Sequence, residues 1–388
     1  MSKKTRTILL VVLSILLVGE LVFLAVRNID FDTPSTTEAV TEAPTETPTE
    51  APTEAPTEVP TEAPTEPLLY SNPLTGEPLA EPLTTRIFMV TINNVPKALP
   101  HVGAAQSDIL FEMYINGYAT RGLALYSDIR NVETIGSVRS TRYNFTDLGI
   151  AYDAIVAHAG GSKSVISDAN SSDVDHFNID TSSSTSYSFR DKVRKSAGYS
   201  NEHCLFVKGP GLYDKMTEKG YRVTQEEGTT YGLNFAQDGT PANGEDAKMI
   251  TIDFILKGHS KLTNMTYDEA TGRYIYTQYG KTAEDVAEGE EETFKNVFVM
   301  KAKVTNKTAS NVTYHVADLD TSGEGYYACG GKIIPIQWHH EKADEPITFT
   351  LTDGTPLEQG IGNSYIRLTH FVAEQLYFDL YLLLLHLL

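Results

Sequence analysis

Short apolar runs separated by turn-forming residues dominate the first half of the chain and predict a set of strands. The first run ends at Asn93 and Asn94, and the dipeptide Asn116-Gly117, between the second and third, is typical of a tight β-hairpin. The runs are Arg86–Ile92, Asp108–Tyr114, Thr120–Tyr126, Thr134–Val138 and Ala154–Ala157.

Two polar motifs, RSTR at 139–142 and HAGGS at 158–162, each follow one of these predicted strands. Apolar residues recur at helical spacing after RSTR, and Ser140 or Thr141 is placed to cap that helix. The order strand, RSTR, helix, strand, HAGGS, helix predicts a βαβ unit with parallel, neighbouring strands. Both motifs would then lie at the carboxyl ends of adjacent strands, where open α/β sheets bind their ligands.

From about residue 209 the pattern changes to one that predicts an antiparallel sheet. Thr-Gly, Asp-Gly and Glu-rich turns separate its runs, and the acidic segment Ala283–Glu292 is predicted to be a surface loop. We therefore expect an α+β protein: a layered mixed α/β sandwich at 68–215, followed by a mainly antiparallel β domain at 216–367. The apolar or alternating runs of the second domain are Met249–Leu256, Tyr274–Tyr279, Asn296–Val304, Asn311–Val316, Gly325–Gln337 and Ile347–Leu351.

Residues 1–27 predict a single-pass membrane anchor. A basic start precedes Ile8–Val26, which is almost entirely apolar. As a helix this segment would be roughly 28 Å long, close to the thickness of a hydrocarbon core. A cleaved signal peptide has a similar pattern and is the alternative. Because the basic residues favour the cytoplasm, we expect residues 28–388 on the outer side of the cell membrane.

Residues 28–67 predict a disordered, extended linker. The segment repeats Thr-Glu with proline at nearly every fourth position, and it lacks the aliphatic residues that build a core. Its glutamates account for much of the formal net charge of -20. That charge therefore argues only mildly against nucleic acid, which we do not expect as a partner.

The end of the chain and the two cysteines leave alternatives open. Residues 368–388 lack turn-forming residues and close on a leucine run too short and interrupted to predict a membrane span. A frameshifted end or a terminal amphipathic helix would each explain this atypical tail. Cys204 and Cys329 either pair or remain two buried thiols, and two cysteines do not make a cysteine-rich metal site.

Seven segments of the chain, read in order, are NPLTGEPL, TRGLALY, IGSVRSTR, YDAIVAHAGGS, EHCLFV, GKIIPIQW and ITFTLTDGTPL. Together they resemble the YerB-like lipoprotein family, a two-part bacterial family of unknown function. The resemblance covers the chain from Asn72 to Ile366 and implies a layered α/β sandwich, a C-terminal domain and a place in the cell envelope; it supplies no reaction. Family members are often anchored through an acylated cysteine. No cysteine lies near this N-terminus, so the apolar segment would serve as the anchor.

The two arginines of RSTR are the main candidate for a functional site. Guanidinium groups suit phosphate or carboxylate, and cations at a helix start are unfavourable unless an anion offsets them. The alternative is an internal network of arginines and carboxylates. The residues assigned to the cleft are Arg121, Arg139, Arg142, Ser140, His158, Gly160, Gly161, Ser162 and Asn93, with Glu112, Asp147 and Asp153 as candidate carboxylates.

These observations predict a membrane-anchored envelope protein that binds an anion, such as a phosphate-bearing wall polymer or a lipid-linked precursor, without a cofactor. Adjacent His339 and His340 would point to opposite faces of a strand, so we expect no metal site there. The alternatives are an enzyme on phosphorylated or glycan envelope substrates, with His158 or Asp153 as base, and a scaffold for a protein partner. The sequence contains no G-x-S-x-G, S-x-x-K, H-E-x-x-H or Walker motif.

Overall fold

The computed structural model of this chain describes residues 70–116, 119–179, 185–256, 259–285, 289–370 and 374–378. The predicted anchor, the predicted linker and the leucine run at 379–388 lie outside these ranges. The described residues belong to one compact unit, Glu66–Leu388. Within them, no helix is both long enough and apolar enough to cross a membrane.

Strands greatly outnumber helices among the described residues. The helices are α1 Tyr143–Ala151, α2 Lys163–Ser171, α3 Lys192–Ser196 and α4 Gly209–Glu218, with short 3-10 turns at Pro96–Ala98, Ile129–Asn131 and Asn201–His203. The strands are β1 Tyr70–Ser71, β2 Pro78–Leu79, β3 Phe88–Asn94, β4 Ile109–Tyr114, β5 Thr120–Tyr126, β6 Ile135–Gly136, β7 Ile155–His158, β8 Asp175–Asn178, β9 Ser188–Arg190, β10 Leu205–Val207, β11 Asn234–Ala236, β12 Glu245–Asp246, β13 Met249–Leu256, β14 His259–Asp268, β15 Arg273–Gln278, β16 Lys281–Thr282, β17 Glu284–Asp285, β18 Glu290–Glu291, β19 Thr293–Phe294, β20 Asn296–Ala302, β21 Val304–Ala309, β22 Val312–Ala317, β23 Thr321–Cys329, β24 Lys332–His340, β25 Thr348–Leu351, β26 Glu358–Gly360, β27 Ser364–His370 and β28 Glu374–Phe378.

One 11-stranded sheet runs through both halves of the sequence, in the order β12-β24-β23-β20-β27-β4-β5-β3-β7-β8, with β25 beside β24. The two halves meet where β27 pairs in parallel with β4, from Ser364 opposite Ile109 to Arg367 opposite Glu112. A six-stranded sheet of β13–β16, β19 and β28 forms a further layer. The fold is thus α+β, with a mixed α/β first part and a mainly antiparallel second part, as predicted.

The central strands are covered on both faces, which explains their continuous apolar sequence. On one face Met89 and Phe111 pack with Phe145 of α1. On the other, Val90 packs in a second core that includes Tyr276 of the six-stranded sheet. Alternate residues of one strand therefore belong to different cores.

The parallel βαβ unit consists of β7, α2 and β8, one strand later in the chain than predicted. β6 pairs antiparallel with β10 in a small three-stranded sheet, so β6 and β7 are not neighbours. The parallel neighbours are β7 and β8, which α2 connects. β7 also lies parallel to β3. The predicted hairpin of β4 and β5 is confirmed by their antiparallel pairing.

Three further sequence interpretations are corrected. The segment 283–292 is not simply a surface loop, because Asp285 and Glu292 are fully buried. The apolar run 325–337 is two antiparallel strands, β23 and β24, joined at Gly330 and Gly331, both with positive φ. A terminal helix is wrong for residues 374–378, which form β28 against β13.

Neither cysteine lies at the protein surface. Cys204 and Cys329 are both buried and both are free thiols. Burial raises the pKa of each thiol, so both stay protonated near neutral pH. Of the alternatives for the cysteines, two buried thiols is therefore correct.

Candidate functional site

The RSTR and HAGGS motifs lie side by side, joined by main-chain hydrogen bonds. The Ala159 nitrogen donates to the Arg139 oxygen at 2.9 Å, and the Thr141 nitrogen donates to the Gly160 oxygen at 3.0 Å. The Ser140 hydroxyl donates to the Ala159 oxygen at 3.0 Å. The motifs meet although β6 and β7 are not neighbours, because the segment after β6 hydrogen-bonds to the end of β3, which also pairs with β7. The Arg139 nitrogen donates to the Thr91 oxygen at 3.0 Å.

Arg121 reaches this segment from β5. Its register partner on β3 is Asn93, so both residues lie on the same face of the central sheet. Arg121 is only 3% exposed. Its Nη1 donates to the Ser140 oxygen at 2.7 Å, which fixes the guanidinium beside the RSTR main chain.

Arg142 lies at the start of α1, where it is the N-cap residue without a side-chain capping bond. This corrects the prediction that Ser140 or Thr141 caps the helix. The Arg142 Nη1 donates to the Thr141 oxygen at 2.7 Å, and its Nη2 donates to Asn116 Oδ1 at 2.8 Å. Its guanidinium carbon lies 5.7 Å from the ring centre of Tyr314.

Arg139 is the third arginine here and the one with a carboxylate partner. Its Nη1 lies 3.0 Å from Oε2 of Glu202, with side-chain exposures of 26% and 54%. The positive charge of Arg139 lowers the pKa of the Glu202 carboxyl. Because the pair is partly exposed, it contributes little to stability, about 0–1 kcal/mol.

We call Arg121, Arg139 and Arg142 the arginine cluster, because their charges act on one another. Burial, followed by the charges of Arg142 and Arg139, lowers the pKa of Arg121 well below its usual range. Burial lowers the pKa of Arg142 to about 10; Tyr314 raises that pKa and Arg139 lowers it. Guanidinium groups as a class remain charged in folded proteins near neutral pH. Each has a buried Nε without a hydrogen-bond partner among the described residues.

Asn93 and His203 line the same side of the cluster. The Asn93 Nδ2 donates to His203 Nδ1 at 2.8 Å, and His203 Nε2 lies 3.7 Å from Oε1 of Glu202. Burial lowers the pKa of His203, so its imidazole adds no positive charge near neutral pH.

His158 does not face the arginines. Its Nδ1 donates to the Gly160 oxygen at 2.9 Å, and its Nε2 lies 3.0 Å from Nδ1 of His176. Burial and the neighbouring His176 lower the pKa of His158 to about 4. With both ring nitrogens engaged inside the fold, His158 is a neutral, positioned histidine.

The glycines and serine of HAGGS shape a turn. Gly160 has a φ of 74°, which favours glycine, and its nitrogen donates to Asn178 Oδ1 at 2.7 Å. A Cβ on Gly161 would approach Ile166 to 2.9 Å. Ser162 caps α2 by accepting from the Val165 nitrogen at 3.3 Å. These roles are those of a tight strand-to-helix turn.

Glu112 belongs to a separate network on the opposite face of the sheet. Its register partner on β5 is Gly122, the residue after Arg121, and successive residues of a strand point to opposite faces. It forms a buried ion pair with Lys261 and accepts from the hydroxyls of Tyr276 at 3.1 Å and Tyr365 at 2.6 Å. Burial alone would raise the pKa of Glu112. The charges of Lys261 and Arg367 outweigh burial and hold it at about 2.

Asp147 and Asp153 also lie away from the cluster. Asp153 precedes β7, at the opposite end of that strand from HAGGS, and pairs with Arg86 at 2.9 Å and Arg222 at 2.5 Å. Asp147, on α1, accepts from Nδ2 of Asn144 at 3.2 Å. Burial, with nearby Asp320, raises the pKa of Asp147 to about 7. Neither carboxylate offsets the arginines, contrary to the sequence prediction.

The sequence interpretation missed Glu202, Asn116 and Tyr314 as neighbours of the cluster. Glu202 begins the EHCLFV segment used for the family resemblance, and Asn116 belongs to the predicted hairpin turn. Neither the family resemblance nor the hairpin dipeptide indicated that Glu202 and Asn116 contact the arginines. These contacts join residues far apart in sequence, such as Arg139 and Glu202, 63 positions apart.

Comparisons with known proteins agree with this fold. The family described as "Protein of unknown function (DUF3048)" matches with its N-terminal domain at residues 74–222 and its C-terminal domain at 250–366. "Putative lipoprotein YerB" of Bacillus subtilis (strain 168) is 27% identical over 268 residues, 69% of this chain and 77% of that protein.

The crystal structure of YerB protein from Bacillus subtilis superimposes with a TM-score of 0.68. The superposition covers 79% of this chain and 99% of the YerB chain, at 24% sequence identity, which supports the shared fold. The predicted family resemblance is therefore confirmed. This chain belongs to the DUF3048 family of proteins of unknown function.

Proposed function

We propose that this chain is a membrane-anchored, extracytoplasmic cell-envelope protein that binds a phosphate- or carboxylate-bearing ligand at the arginine cluster. The envelope location is supported by the basic start and apolar segment of residues 1–27 and by the name of the similar Bacillus subtilis protein, which calls it a lipoprotein.

The observation that carries the proposal is an imbalance of charge. Three guanidinium groups share the site, and among the described residues Glu202 is the one carboxylate within ion-pair distance of any of them. Carbonyl and amide oxygens accept the other hydrogen bonds of Arg121 and Arg142. Buried cations are normally paired with anions, so the site favours an anionic ligand.

The start of α1 adds to this preference. Arg142 is the N-cap of a nine-residue helix, where the main-chain dipoles already place positive charge. Free main-chain N–H groups at such an end bind anions, and guanidinium groups offer paired donors to phosphate or carboxylate. A bound anion would offset both the helix dipole and the mutual repulsion of the arginines.

A thermal-shift titration of the full chain in a polyoxyethylene detergent tests the proposal. Pyrophosphate, glycerol 3-phosphate and citrate are separate probes that distinguish phosphate from carboxylate, each at about 0.15 M salt to screen diffuse attraction. The test variant is Arg139→Gln/Arg142→Gln. The control is Arg130→Gln/Arg222→Gln, which removes the same charge from arginines paired with Asp128 and Asp153.

We expect at least one probe to raise the melting temperature of the wild type and the control but not of the test variant. At a hundredfold excess over Kd, the stabilisation would be about 2.7 kcal/mol. Equal shifts in both double variants would indicate nonspecific charge attraction. No shift with any probe, together with a large loss of stability in the test variant, would make the cluster structural.

A further inference from the structure

A groove of about 810 Å³ lies at one edge of the 11-stranded sheet, and none of its lining residues belongs to the arginine cluster. It opens where β24 changes partner: β12 pairs with β24 at 332–333, and β25 pairs with it at 336–339. Ile334 and Pro335, between these pairings, line the groove and have no neighbouring strand on this edge in the described part of the chain. The volume is typical of a binding site, for which the range is about 300–1,000 Å³.

Hydrogen bonds of the fold hold both walls of the groove in place. One wall is the segment that leads into β12, where the Tyr327 hydroxyl donates to the Gly239 oxygen at 3.0 Å. The other wall is the turn that joins β25 to β26, where the Leu351 nitrogen donates to the Thr355 oxygen at 2.8 Å. Because these bonds are made within the protein, the groove is preformed and binding requires little ordering of its walls.

Much of the accessible lining is apolar, and three of its residues are prolines. Pro335 and Pro356 are exposed, and Pro241 is half-buried. Ile334 and Leu351, also half-buried, add aliphatic surface. Apolar side chains that line a groove and remain accessible to solvent can pack against a ligand, and proline rings do so without losing conformational freedom. The groove therefore favours a ligand with aliphatic groups.

The charged side chains of the lining are both acidic. Asp353 and Glu358 are exposed, and the described lining residues include no lysine, arginine or histidine. The Thr355 nitrogen donates to Oδ1 of Asp353 at 2.9 Å, and this hydrogen bond lowers the pKa of the carboxyl and keeps it ionised near neutral pH. Two negative charges without a cationic side chain in the lining favour a positively charged ligand.

The uncharged polar groups of the groove can pair with the main chain of a peptide. Pro335 has no N–H, so its main chain accepts hydrogen bonds but does not donate them. Asn243 and Asn234, which is the register partner of Glu358, offer exposed carboxamides that both donate and accept. An extended peptide with lysine or arginine side chains combines main-chain N–H and C=O groups, aliphatic groups and positive charge.

We propose that this groove binds an extended, basic segment of a protein partner, whose lysine or arginine side chains pair with Asp353 and Glu358. The aliphatic side chains of the segment pack on the prolines of the lining. Charge complementarity selects this occupant, because the two carboxylates repel an acidic segment. The surface is independent of the anion site proposed above and carries the opposite charge.

The test is fluorescence polarisation on the full chain in a polyoxyethylene detergent, at about 0.15 M salt to screen diffuse attraction. The probe is a positional-scanning library of labelled hexapeptides, in which each position in turn is fixed as one amino acid. Pools with a fixed lysine or arginine are compared with pools that have a fixed aspartate, glutamate or serine. The comparison separates recognition of a basic segment from binding of any peptide.

Three variants test whether binding takes place in the groove. Asp353→Asn/Glu358→Gln removes the two charges, and the asparagine keeps the side-chain oxygen that accepts from the turn. Glu218→Gln/Glu226→Gln is the control, because it removes the same charge from exposed residues outside the groove. Ala242→Tyr places a ring at an exposed lining position without changing the charge. Melting temperatures establish that each variant folds.

We expect the lysine and arginine pools to bind the wild type and Glu218→Gln/Glu226→Gln equally. Their affinity should fall about fivefold or more in Asp353→Asn/Glu358→Gln, since two ion pairs are lost. It should also fall in Ala242→Tyr, because the ring occupies the groove. Unchanged affinity in either of these two variants would overturn the proposal, since the peptides would then respond to the overall negative charge of the chain. Preference for acidic or serine pools, or binding of no pool, would also overturn it.

Discussion

Nη1 of Arg121 lies 2.7 Å from the main-chain oxygen of Ser140, and that same oxygen accepts from Nη1 of Arg142 at 3.3 Å. Two guanidinium groups thus converge on one neutral carbonyl. No carboxylate of the described residues lies within ion-pair distance of either group. A carbonyl dipole offsets a cation less than a carboxylate does, so the positive charge of these two arginines is only partly offset within the fold.

Removing the charge of Arg121 should not destabilise the fold. Arg121→Met keeps an apolar stem and removes repulsion from Arg139 and Arg142. Replacing a poorly paired buried charge is often neutral or stabilising, here by up to about 2 kcal/mol. The measurement is the free energy of unfolding in urea.

Arg86→Met is the matched control for Arg121→Met. Arg86 is buried and pairs with Asp153 at 2.9 Å and Asp175 at 2.5 Å. Its loss leaves these carboxylates with fewer partners, and should lower the free energy of unfolding by about 1–3 kcal/mol. If Arg121→Met is as destabilising as Arg86→Met, the arginine cluster is a structural network.

Glu202→Gln should strengthen anion binding. The Glu202 carboxylate competes with a ligand for Arg139 at 3.0 Å, and glutamine removes its charge. An exposed pair of this kind is worth about 0.2–1 kcal/mol, so the Kd for pyrophosphate should fall at most about fivefold. Isothermal titration calorimetry measures this change. Glu218→Gln, in an exposed pair with Lys215, removes the same charge elsewhere and should leave the Kd unchanged.

The buried pair of Glu112 and Lys261 should be important for stability. Glu112→Gln leaves the Lys261 ammonium buried without its anion, at a cost of about 3–5 kcal/mol in the free energy of unfolding. The double variant Glu112→Gln/Lys261→Met should lose less. If the double variant is the less stable of the two, the isolated charge is not the cause.

The same pair predicts a dependence of stability on pH. The folded-state pKa of Glu112 is about 2, below its usual value of 4.5. The stability contributed by its ionised form is therefore complete above pH 4.5 and is lost as the pH falls towards 2. Thermal unfolding across this range should show a smaller decrease in Glu112→Gln than in the wild type.

Asp147 should make stability depend on pH in the opposite direction. Its folded-state pKa of about 7 is above the usual value of 3.8, so the folded chain binds the proton more tightly than the unfolded chain. Stability from the protonated form is complete below pH 3.8 and is lost as the pH rises through 7. Asp147→Asn should have the higher melting temperature above pH 7, and the difference should disappear near pH 4. A constant difference at all pH values would exclude titration of Asp147 as its cause.

Local sequence patterns predicted the strands and the α+β class because apolar runs and turn dipeptides act over a few residues. The hairpin of β4 and β5 is an example, with Asn116 at its turn. The pairing of β6 was not predictable in this way. β6 has only two residues, and its partner β10 lies about 70 positions later in the chain.

The prediction that Glu112 lies near the arginines was wrong for a related reason. Glu112 and Arg121 lie on adjacent strands, but the register places Glu112 opposite Gly122, so the pleat directs the two side chains to opposite faces. A shift of one residue decides this outcome, and composition does not encode it. The proximity of RSTR and HAGGS was predicted from strand order, although β3 rather than β6 brings them together.

The most direct test of the anion site is an anomalous-scattering measurement on crystals of this protein soaked in tungstate, a tetrahedral oxyanion that scatters strongly. We predict a tungsten peak within hydrogen-bond reach of the guanidinium groups of Arg121, Arg139 and Arg142. The peak should be missing from crystals of Arg139→Gln/Arg142→Gln. Peaks elsewhere on the protein, with none at the cluster in the wild type, would show that the arginine cluster does not bind tetrahedral oxyanions.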